Sequence, residues 1–169
     1  MENVHTPPLL RLATPADLPA LLPLFRAYQE HYGQLTSAGE EQTRAFLAEF
    51  LADAKTGFIV LACTEDRLVG FAAVYLTVSC LIARRIAHLG DLYVVPASRG
   101  AGVGTALLDA VSAEAGRRGI GLVRWLSLSS NTELNAWYRR LVEPLGTFDL
   151  YLLPTACGPS APAAPSPSR

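Results

Sequence analysis

The chain has 169 residues, of which 50% are hydrophobic, and its formal net charge is −1. This length suits one domain with an ordinary core, and the absence of a basic block argues against nucleic acid as the main partner. No run of about 18 apolar residues is present, so we expect no membrane span, and the N-terminal residues lack the pattern of a secretion signal.

The first predicted elements are a short strand and a helix. Residues 9–13 form an apolar run that is typical of a strand. Thr14 and Pro15 then indicate a helix start, because threonine caps helix N-termini and proline suits the first helical position. We expect this helix to run to about His31 and to end at Gly33. Its inward-facing residues are predicted to be Leu18, Leu21, Leu22, Phe25 and Tyr28.

A second helix and three antiparallel strands follow. The segment 40–52 is predicted to be helical, with Ala45, Phe46, Glu49 and Phe50 near one face. The apolar runs 58–63 and 68–78 are separated by a polar turn, which is the pattern of a hairpin. Residues 85–95 then pair back, so these three runs predict an antiparallel meander.

A glycine-rich turn joins the third of these strands to a helix. Residues 92–95 are strong strand formers, and Pro96 ends the strand because proline cannot donate to a ladder. Glycines at 100, 102 and 104 precede an apolar helical pattern. Such a turn presents free backbone N–H groups at the positive end of the helix dipole, so it predicts a phosphate site.

The remaining segments predict a strand, a helix, a last strand and a tail. Residues 122–128 are apolar, residues 129–131 can cap a helix over 132–142, and residues 146–153 suit a strand. The strand–helix–strand unit over 89–128 is expected to be a right-handed parallel crossover. Residues 1–153 therefore form one domain, and the Pro/Ala/Ser-rich segment 154–169 is predicted to be disordered.

The three cysteines, Cys63, Cys80 and Cys157, match no zinc or redox spacing. Cys63 and Cys80 lie in apolar runs, so we expect both to be small buried hydrophobic residues. This cysteine usage favours a reducing, cytoplasmic location, and no metal is expected.

Two common phosphate motifs do not fit the glycine-rich turn. A P-loop requires a lysine after its last glycine, but Thr105 follows Gly104. The dinucleotide motif requires a sixth-position glycine and an acidic residue in the next strand. Thr105 stands at that sixth position, and residues 122–128 contain no Asp or Glu.

A third motif, Arg/Gln-x-x-Gly-x-Gly/Ala, is satisfied by residues 99–104, which read Arg-Gly-Ala-Gly-Val-Gly. With the strand before it, this stretch resembles the acetyl-CoA-binding signature of the GNAT superfamily of N-acetyltransferases. The resemblance covers about residues 9–153. It implies an α/β (α+β) fold with a mixed, mostly antiparallel sheet, about four flanking helices and a splayed central strand pair.

The resemblance also implies how acetyl-CoA is held. Backbone N–H groups of residues 100–105 would bind the pyrophosphate, and the exposed backbone of residues 92–94 would pair with the pantetheine arm. Arg99 would add charge near the phosphates or lie exposed in the turn. Asn131 would contact the pantetheine region, cap the last helix, or do both. The implied contact residues are Leu92, Tyr93, Val94, Arg99, Gly100, Ala101, Gly102, Val103, Gly104, Thr105 and Asn131.

Two residues are candidates for catalysis. The stretch from Asn131 to Tyr138 is similar to the family segment Asn-x-x-Ala-x-x-x-Tyr, with Leu134 in place of the alanine. By this resemblance Tyr138 is the general acid that protonates the leaving thiolate; otherwise it is a packed aromatic residue. Asp91 is the carboxylate of the central strand, where it holds or deprotonates the amine, or bonds structurally at a bulge.

The acceptor pocket is expected at the end of the first helix, where the resemblance places Tyr28, Glu30 and Tyr32. Residues 69–71 and 91–94 look most like the diamine (spermidine/spermine) acetyltransferase branch. Those enzymes usually carry an acid where this chain has Gly90, which puts a water-mediated base and a polyamine substrate in doubt.

The sequence therefore predicts an acetyl-CoA-dependent N-acetyltransferase in which the primary amine of a small molecule, such as a polyamine or an amino acid, attacks the thioester directly. Two alternatives remain open: a catalytically degenerate CoA-binding regulatory domain, and a protein or peptide N-acetyltransferase. A homodimer is favoured, because the last predicted strand would otherwise leave an uncovered apolar edge.

Overall fold

The computed structural model describes residues 7–32, 38–65 and 67–149. Two short 3-10 helices, at Pro15–Asp17 and Pro96–Ser98, precede the first and third α-helices. The strands and α-helices of this part of the chain are β1 (Leu9–Leu12), α1 (Leu18–His31), α2 (Glu40–Ala52), β2 (Gly57–Thr64), β3 (Arg67–Ser79), β4 (Arg84–Val94), α3 (Val103–Arg117), β5 (Val123–Arg124) and α4 (Thr132–Arg139).

These strands form one mixed sheet in the order β1-β2-β3-β4-β5. The first four pair antiparallel, and β5 pairs parallel to β4 after the α3 crossover. The α/β fold with a mostly antiparallel sheet is confirmed, as is the meander of β2, β3 and β4. No α-helix in the described ranges is long and apolar enough to span a bilayer.

Helices cover both faces of the sheet, because side chains of the central strands alternate between two buried layers. On one face α3 packs through Leu107 and Val111 against Val60 and Ala87. On the other face α1 and α2 bury Leu21, Phe25, Leu47 and Phe50 against residues that include Ile59, Leu61 and Phe71. This layer beneath α1 and α2 also contributes to the wall of a cavity, through Phe25.

Two parts of the predicted core are wrong, the inward face of α2 and the burial of Cys80. The buried residues of α2 are Thr43, Leu47 and Phe50, while Ala45, Phe46 and Glu49 are exposed. Compared with the prediction, α2 is rotated about its axis. Leu47 is buried in the core layer, and Phe46 lines a cavity instead. Cys63 is buried as expected, but Cys80 is exposed, because it follows the end of β3 in a turn.

The second half of the chain is less regular than predicted. β5 has two residues instead of seven, because its ladder with β4 ends after the pairs Ala87↔Val123 and His88↔Arg124. α4 ends at Arg139, and residues 146–149 are not in a strand. The predicted helix-ending Gly33, the rest of the last strand, Cys157 and the tail lie outside the described residues.

We expect Gly57→Ala to lower the free energy of unfolding by about 1–3 kcal/mol. A Cβ at this position would lie 2.2 Å from the Val74 carbonyl oxygen and 2.4 Å from Cζ of Phe50. Gly116→Ala is the matched control, because nothing lies within 4 Å of its Cβ position and alanine favours a helix. Urea unfolding of both variants measures the difference, and equal stabilities would contradict the close approach at Gly57.

Candidate active site

A β-bulge shapes β4 at the centre of the sheet. Ala73 on β3 pairs with Asp91, but the next residue, Val74, pairs with Leu89, so Gly90 is the extra residue. A Cβ on Gly90 would lie 2.2 Å from Cε2 of Tyr75. The missing side chain therefore leaves room for the Tyr75 ring, which lies directly against the bulge.

Two tyrosines hold the Asp91 carboxylate. The Tyr28 hydroxyl donates to Oδ1 at 2.7 Å, and the Tyr75 hydroxyl donates to Oδ2 at 3.1 Å. Burial raises the pKa of both phenols, and the charge of Asp91 raises it further. Both tyrosines are therefore neutral donors, and they orient the carboxylate from opposite sides. The expected bulge at Asp91 and its structural hydrogen bonding are both observed.

The edge of β4 that faces away from β3 is open beyond the short β5 ladder. The Val95 amide donates to the Val69 carbonyl of β3 at 2.9 Å. Because successive residues of a strand direct their N–H and C=O groups to opposite edges, those of Leu92 and Val94 point to the open edge. Tyr93 lies between them with its side chain buried. The predicted splayed strand pair is confirmed.

Arg99 folds back onto this open edge. Its Nε donates to the Val94 carbonyl oxygen at 3.0 Å. The guanidinium carbon lies 5.8 Å from the centre of the Tyr93 ring. The side chain is exposed and contacts the strand rather than the glycine-rich turn, so its approach to a phosphate remains a prediction.

Two residues of the glycine-rich turn have a backbone conformation that favours glycine. Gly100 and Gly102 have φ of 77° and 80°, the left-handed region that favours glycine. Gly102 is the N-cap of α3, and its carbonyl accepts from Ala106, which leaves the amides of residues 103–105 without helical partners. Gly104 serves packing as well, since a Cβ there would lie 3.3 Å from the Trp137 ring.

The first turn of α4 begins at Asn131 and its last turn carries Tyr138. The Asn131 side chain accepts from the Leu134 amide at 3.2 Å, so it caps the helix. The Tyr138 ring lies 5.2 Å from Trp125 and 4.8 Å from Trp137, centre to centre. The pKa of Tyr138 is raised to about 12, mainly by burial and to a lesser extent by the charge of the neighbouring Tyr32. The Tyr138 hydroxyl therefore keeps its proton at neutral pH, and its ring packs against both tryptophans.

A cavity of about 500 Å³ lies between α1 and α2 on one side and β4, residues 126–128 and α4 on the other. It brings together the predicted residues Tyr28, Tyr32, Asp91, Asn131 and Tyr138. Its lining residues are Phe25, Tyr28, Gln29, Tyr32, Ala38, Gln42, Thr43, Phe46, Tyr75, Gly90, Asp91, Leu92, Leu126, Ser127, Leu128, Asn131, Leu134 and Tyr138.

The structure separates two predicted groups from this cavity and adds others to it. Glu30 is exposed and is not part of the lining, and the glycine-rich turn also lies apart from it. Tyr75, Gln42 and Phe46 were not predicted to be site residues. Tyr75 is an ordinary strand residue by pattern, and only its place beside the bulge reveals its contact with Asp91.

Comparison with known proteins gives consistent results. The family model described as "Acetyltransferase (GNAT) family" matches residues 20–142. The "Uncharacterized N-acetyltransferase YhfO" of Bacillus subtilis (strain 168) is 36% identical over 110 residues, which are 65% of this chain and 72% of that protein. A "Probable acetyltransferase" of Haemophilus influenzae is 29% identical over 79 residues, 47% of this chain and 53% of that protein.

Solved structures share the fold. The "Crystal structure of a probable acetyltransferase" is 30% identical with a TM-score of 0.76, covering 88% of this chain and 98% of that one. An aminoglycoside acetyltransferase, meta-AAC0020, solved in complex with sisomicin, is 18% identical with a TM-score of 0.71. It covers 87% of this chain and 97% of its own, and at that identity the likeness concerns the fold alone.

We expect Tyr28→Phe to lower the free energy of unfolding by about 1.5–3 kcal/mol, because a half-buried carboxylate loses a charge-assisted hydrogen bond. The control is the same substitution in an Asp91→Asn background, where the acceptor is no longer charged. Its cost should be smaller there by about 1 kcal/mol or more. Urea unfolding of the four proteins in this cycle provides the values. Strictly additive effects would show that the contact contributes little.

Proposed function

The chain belongs to the GNAT family of acetyltransferases, and on that premise we propose that it transfers an acetyl group from acetyl-CoA to the primary amine of a small molecule. The observation that carries the proposal is that Asp91 and Tyr138 line one cavity beside an open strand edge. Such a transfer requires one group that accepts a proton from the amine and one that donates a proton to the thiolate. A carboxylate and a phenol on the same cavity can provide these two functions.

The chain's own backbone suits acetyl-CoA. The amides of residues 103–105 at the start of α3 are suited to a pyrophosphate, because they are unpaired donors at the positive end of a helix dipole. The open edge at Leu92 and Val94 is suited to an extended, amide-bearing arm, which can pair with it as an added strand. Since Arg99 already donates to the Val94 carbonyl, we assign the arm to Leu92 and to the Val94 amide.

In the proposed reaction Asp91 holds the ammonium group of the acceptor and accepts one of its protons. The amine nitrogen then attacks the thioester carbonyl carbon, so that a C–N bond forms and the C–S bond breaks. Tyr138 donates its hydroxyl proton to the leaving thiolate. The nitrogen releases its second proton to solvent as the amide forms, and the phenolate of Tyr138 regains one proton from solvent. With a pKa of about 12, the phenol is protonated at neutral pH, as a general acid must be.

A catalytically degenerate CoA-binding domain is the second candidate. It is favoured by Gly90, since the Tyr75 ring fills the space where an acidic side chain would otherwise stand. Asp91 and Tyr138 in one cavity favour the enzyme. Thiol release from acetyl-CoA across an amine panel separates the two: acetyl-CoA binding without release with any amine would support the regulatory domain.

Other features of the protein remain proposals. A small-molecule amine is the proposed partner, rather than a protein, a nucleic acid or a membrane, and the proposed location is the cytoplasm. The likeness to the diamine branch rests on residues 69–71 and 91–94 alone. A homodimer is supported by exposed apolar side chains outside the cavity, such as Leu145 and Phe148, and sedimentation would test it.

Tyr138→Phe should lower kcat by about 100-fold or more, because the leaving thiolate loses its proton donor. The ring and its contacts with Trp125 and Trp137 are kept, so the affinity for acetyl-CoA should change little. Steady-state kinetics with a competent amine and calorimetric titration with acetyl-CoA provide both values. An unchanged kcat would remove Tyr138 from the mechanism.

Gly102→Glu should abolish acetyl-CoA binding, because it places bulk and negative charge at the proposed pyrophosphate site. Gly119→Glu is the matched control. Gly119 also has a positive φ, 72° against 80°, and open space around its Cβ position, so the backbone strain is similar. Gly119 lies beyond the other end of α3. If both variants bound acetyl-CoA equally, the site at the start of α3 would be wrong.

A further inference from the structure

We propose that the acceptor is a small amine carrying a single positive charge on an otherwise uncharged, apolar body, so that diamines, polyamines and amino acids are poor substrates. The proposal rests on the acetyltransferase function above and narrows its acceptor class. It follows from the charges and rings that line the cavity.

Asp91 is the one formally charged residue among the described residues that line the cavity. The other polar side chains of the lining are neutral amides and hydroxyls, among them Gln42. The nearby Glu30 is exposed on α1 and lies outside the lining. By sequence, the linker 33–37 also has no ionisable side chain. One carboxylate balances one ammonium group.

A second ammonium group in this cavity would lose water without gaining a partner, which costs free energy. The space beside Gly90 cannot hold another carboxylate, because the Tyr75 ring already lies there. Both oxygens of Asp91 also accept from tyrosine hydroxyls, which limits the number of further donors that they can serve. A short diamine is therefore bound less well than the monoamine of the same length.

An amino acid fails for the opposite reason. Its carboxylate would lie near Asp91, and the part of the lining that the structure describes contains no cation to pair with it. Arg26 is on α1, but its Nη1 donates to Gln29 Oε1 and to the Ala38 carbonyl, both at 2.8 Å. Two like charges in a partly enclosed space repel strongly, so the cavity selects against an acceptor that carries a carboxylate.

Aromatic rings form a large part of the remaining cavity lining. Tyr28 and Tyr32 meet edge to face, with ring centres 5.1 Å apart. Phe25, Phe46 and Tyr75 also line the cavity. Such rings attract an ammonium group through their faces and pack against an apolar body. An uncharged aromatic or aliphatic body therefore fits this wall.

The test compares two matched pairs of acceptors with the full chain and saturating acetyl-CoA, by thiol release. Tyramine and tyrosine differ by one carboxylate, and butylamine and 1,4-diaminobutane differ by one ammonium group. We expect kcat/KM to be at least about 100-fold higher for tyramine than for tyrosine, and about tenfold higher for butylamine than for the diamine.

Substitutions at Gln42 should change this selectivity predictably. Gln42 lies on α2 in the cavity wall and has no assigned part in catalysis or in acetyl-CoA binding. Gln42→Glu should improve the diamine-to-monoamine ratio of kcat/KM by about tenfold, and Gln42→Arg should do so for the tyrosine-to-tyramine ratio. Ala45→Glu, an exposed position of α2 outside the cavity, adds the same charge as Gln42→Glu and should leave both ratios unchanged.

Each result decides between the proposals. If kcat/KM for tyrosine equals that for tyramine, or kcat/KM for the diamine equals that for butylamine, the monocationic acceptor class is wrong. The proposed acetyltransferase activity would still be supported, because the amines are turned over. If no amine is turned over, the proposed function fails, and calorimetric binding of the same four compounds in the presence of CoA then decides the charge selectivity. A preference for the monoamines in that measurement would support the cavity argument, and equal binding would overturn it.

Discussion

The pairing of Asp91 with two tyrosines connects three separate parts of the fold. Tyr28 comes from α1 and Tyr75 from β3, and each donates to a different oxygen of a carboxylate on β4. A carboxylate that is partly removed from water is costly unless its oxygens accept hydrogen bonds. These contacts therefore stabilise the charge where the proposed chemistry needs it, and they tie the helical wall of the cavity to the sheet.

The bulge at Gly90 makes this arrangement possible. An extra residue in β4 shifts the pairing, so that Asp91 lies opposite Ala73 on the face of the sheet that α1 and α2 cover. The absence of a side chain at Gly90 leaves the Tyr75 ring beside the carboxylate. The same residue leaves no room for a second acid at this position, because a side chain there would meet the Tyr75 ring.

Unpaired backbone groups form the other half of the proposed site. β5 leaves β4 after two residue pairs, so the edge at Leu92 and Val94 keeps donors and acceptors that no neighbouring strand uses. The start of α3 adds further unpaired amides. Backbone polar groups of this kind require partners, and a ligand with amides and phosphates provides them.

Sequence reasoning succeeded where a local pattern controls the backbone. The alternating glycines predicted a turn that leads into a helix, and the resemblance of the segment from Asn131 to Tyr138 placed both residues at the site; the turn is observed and both residues line one cavity. The prediction failed for the inward face of α2 and for the length of β5. Those features depend on how a helix or strand packs against distant segments, and short-range periodicity contains no information about that.

Local sequence was enough to predict the order of the elements up to α4, the glycine-rich turn and the chemical identity of the candidate groups, because propensities and turn geometry act between neighbours in the chain. What surrounds those groups follows from contacts between distant segments. The contact of Tyr28 with Asp91 spans 63 positions of the chain. The place of Tyr75 beside Gly90 depends on a shifted register. That Asp91 is the one charged residue among the described residues of the lining depends on which side chains the packing excludes.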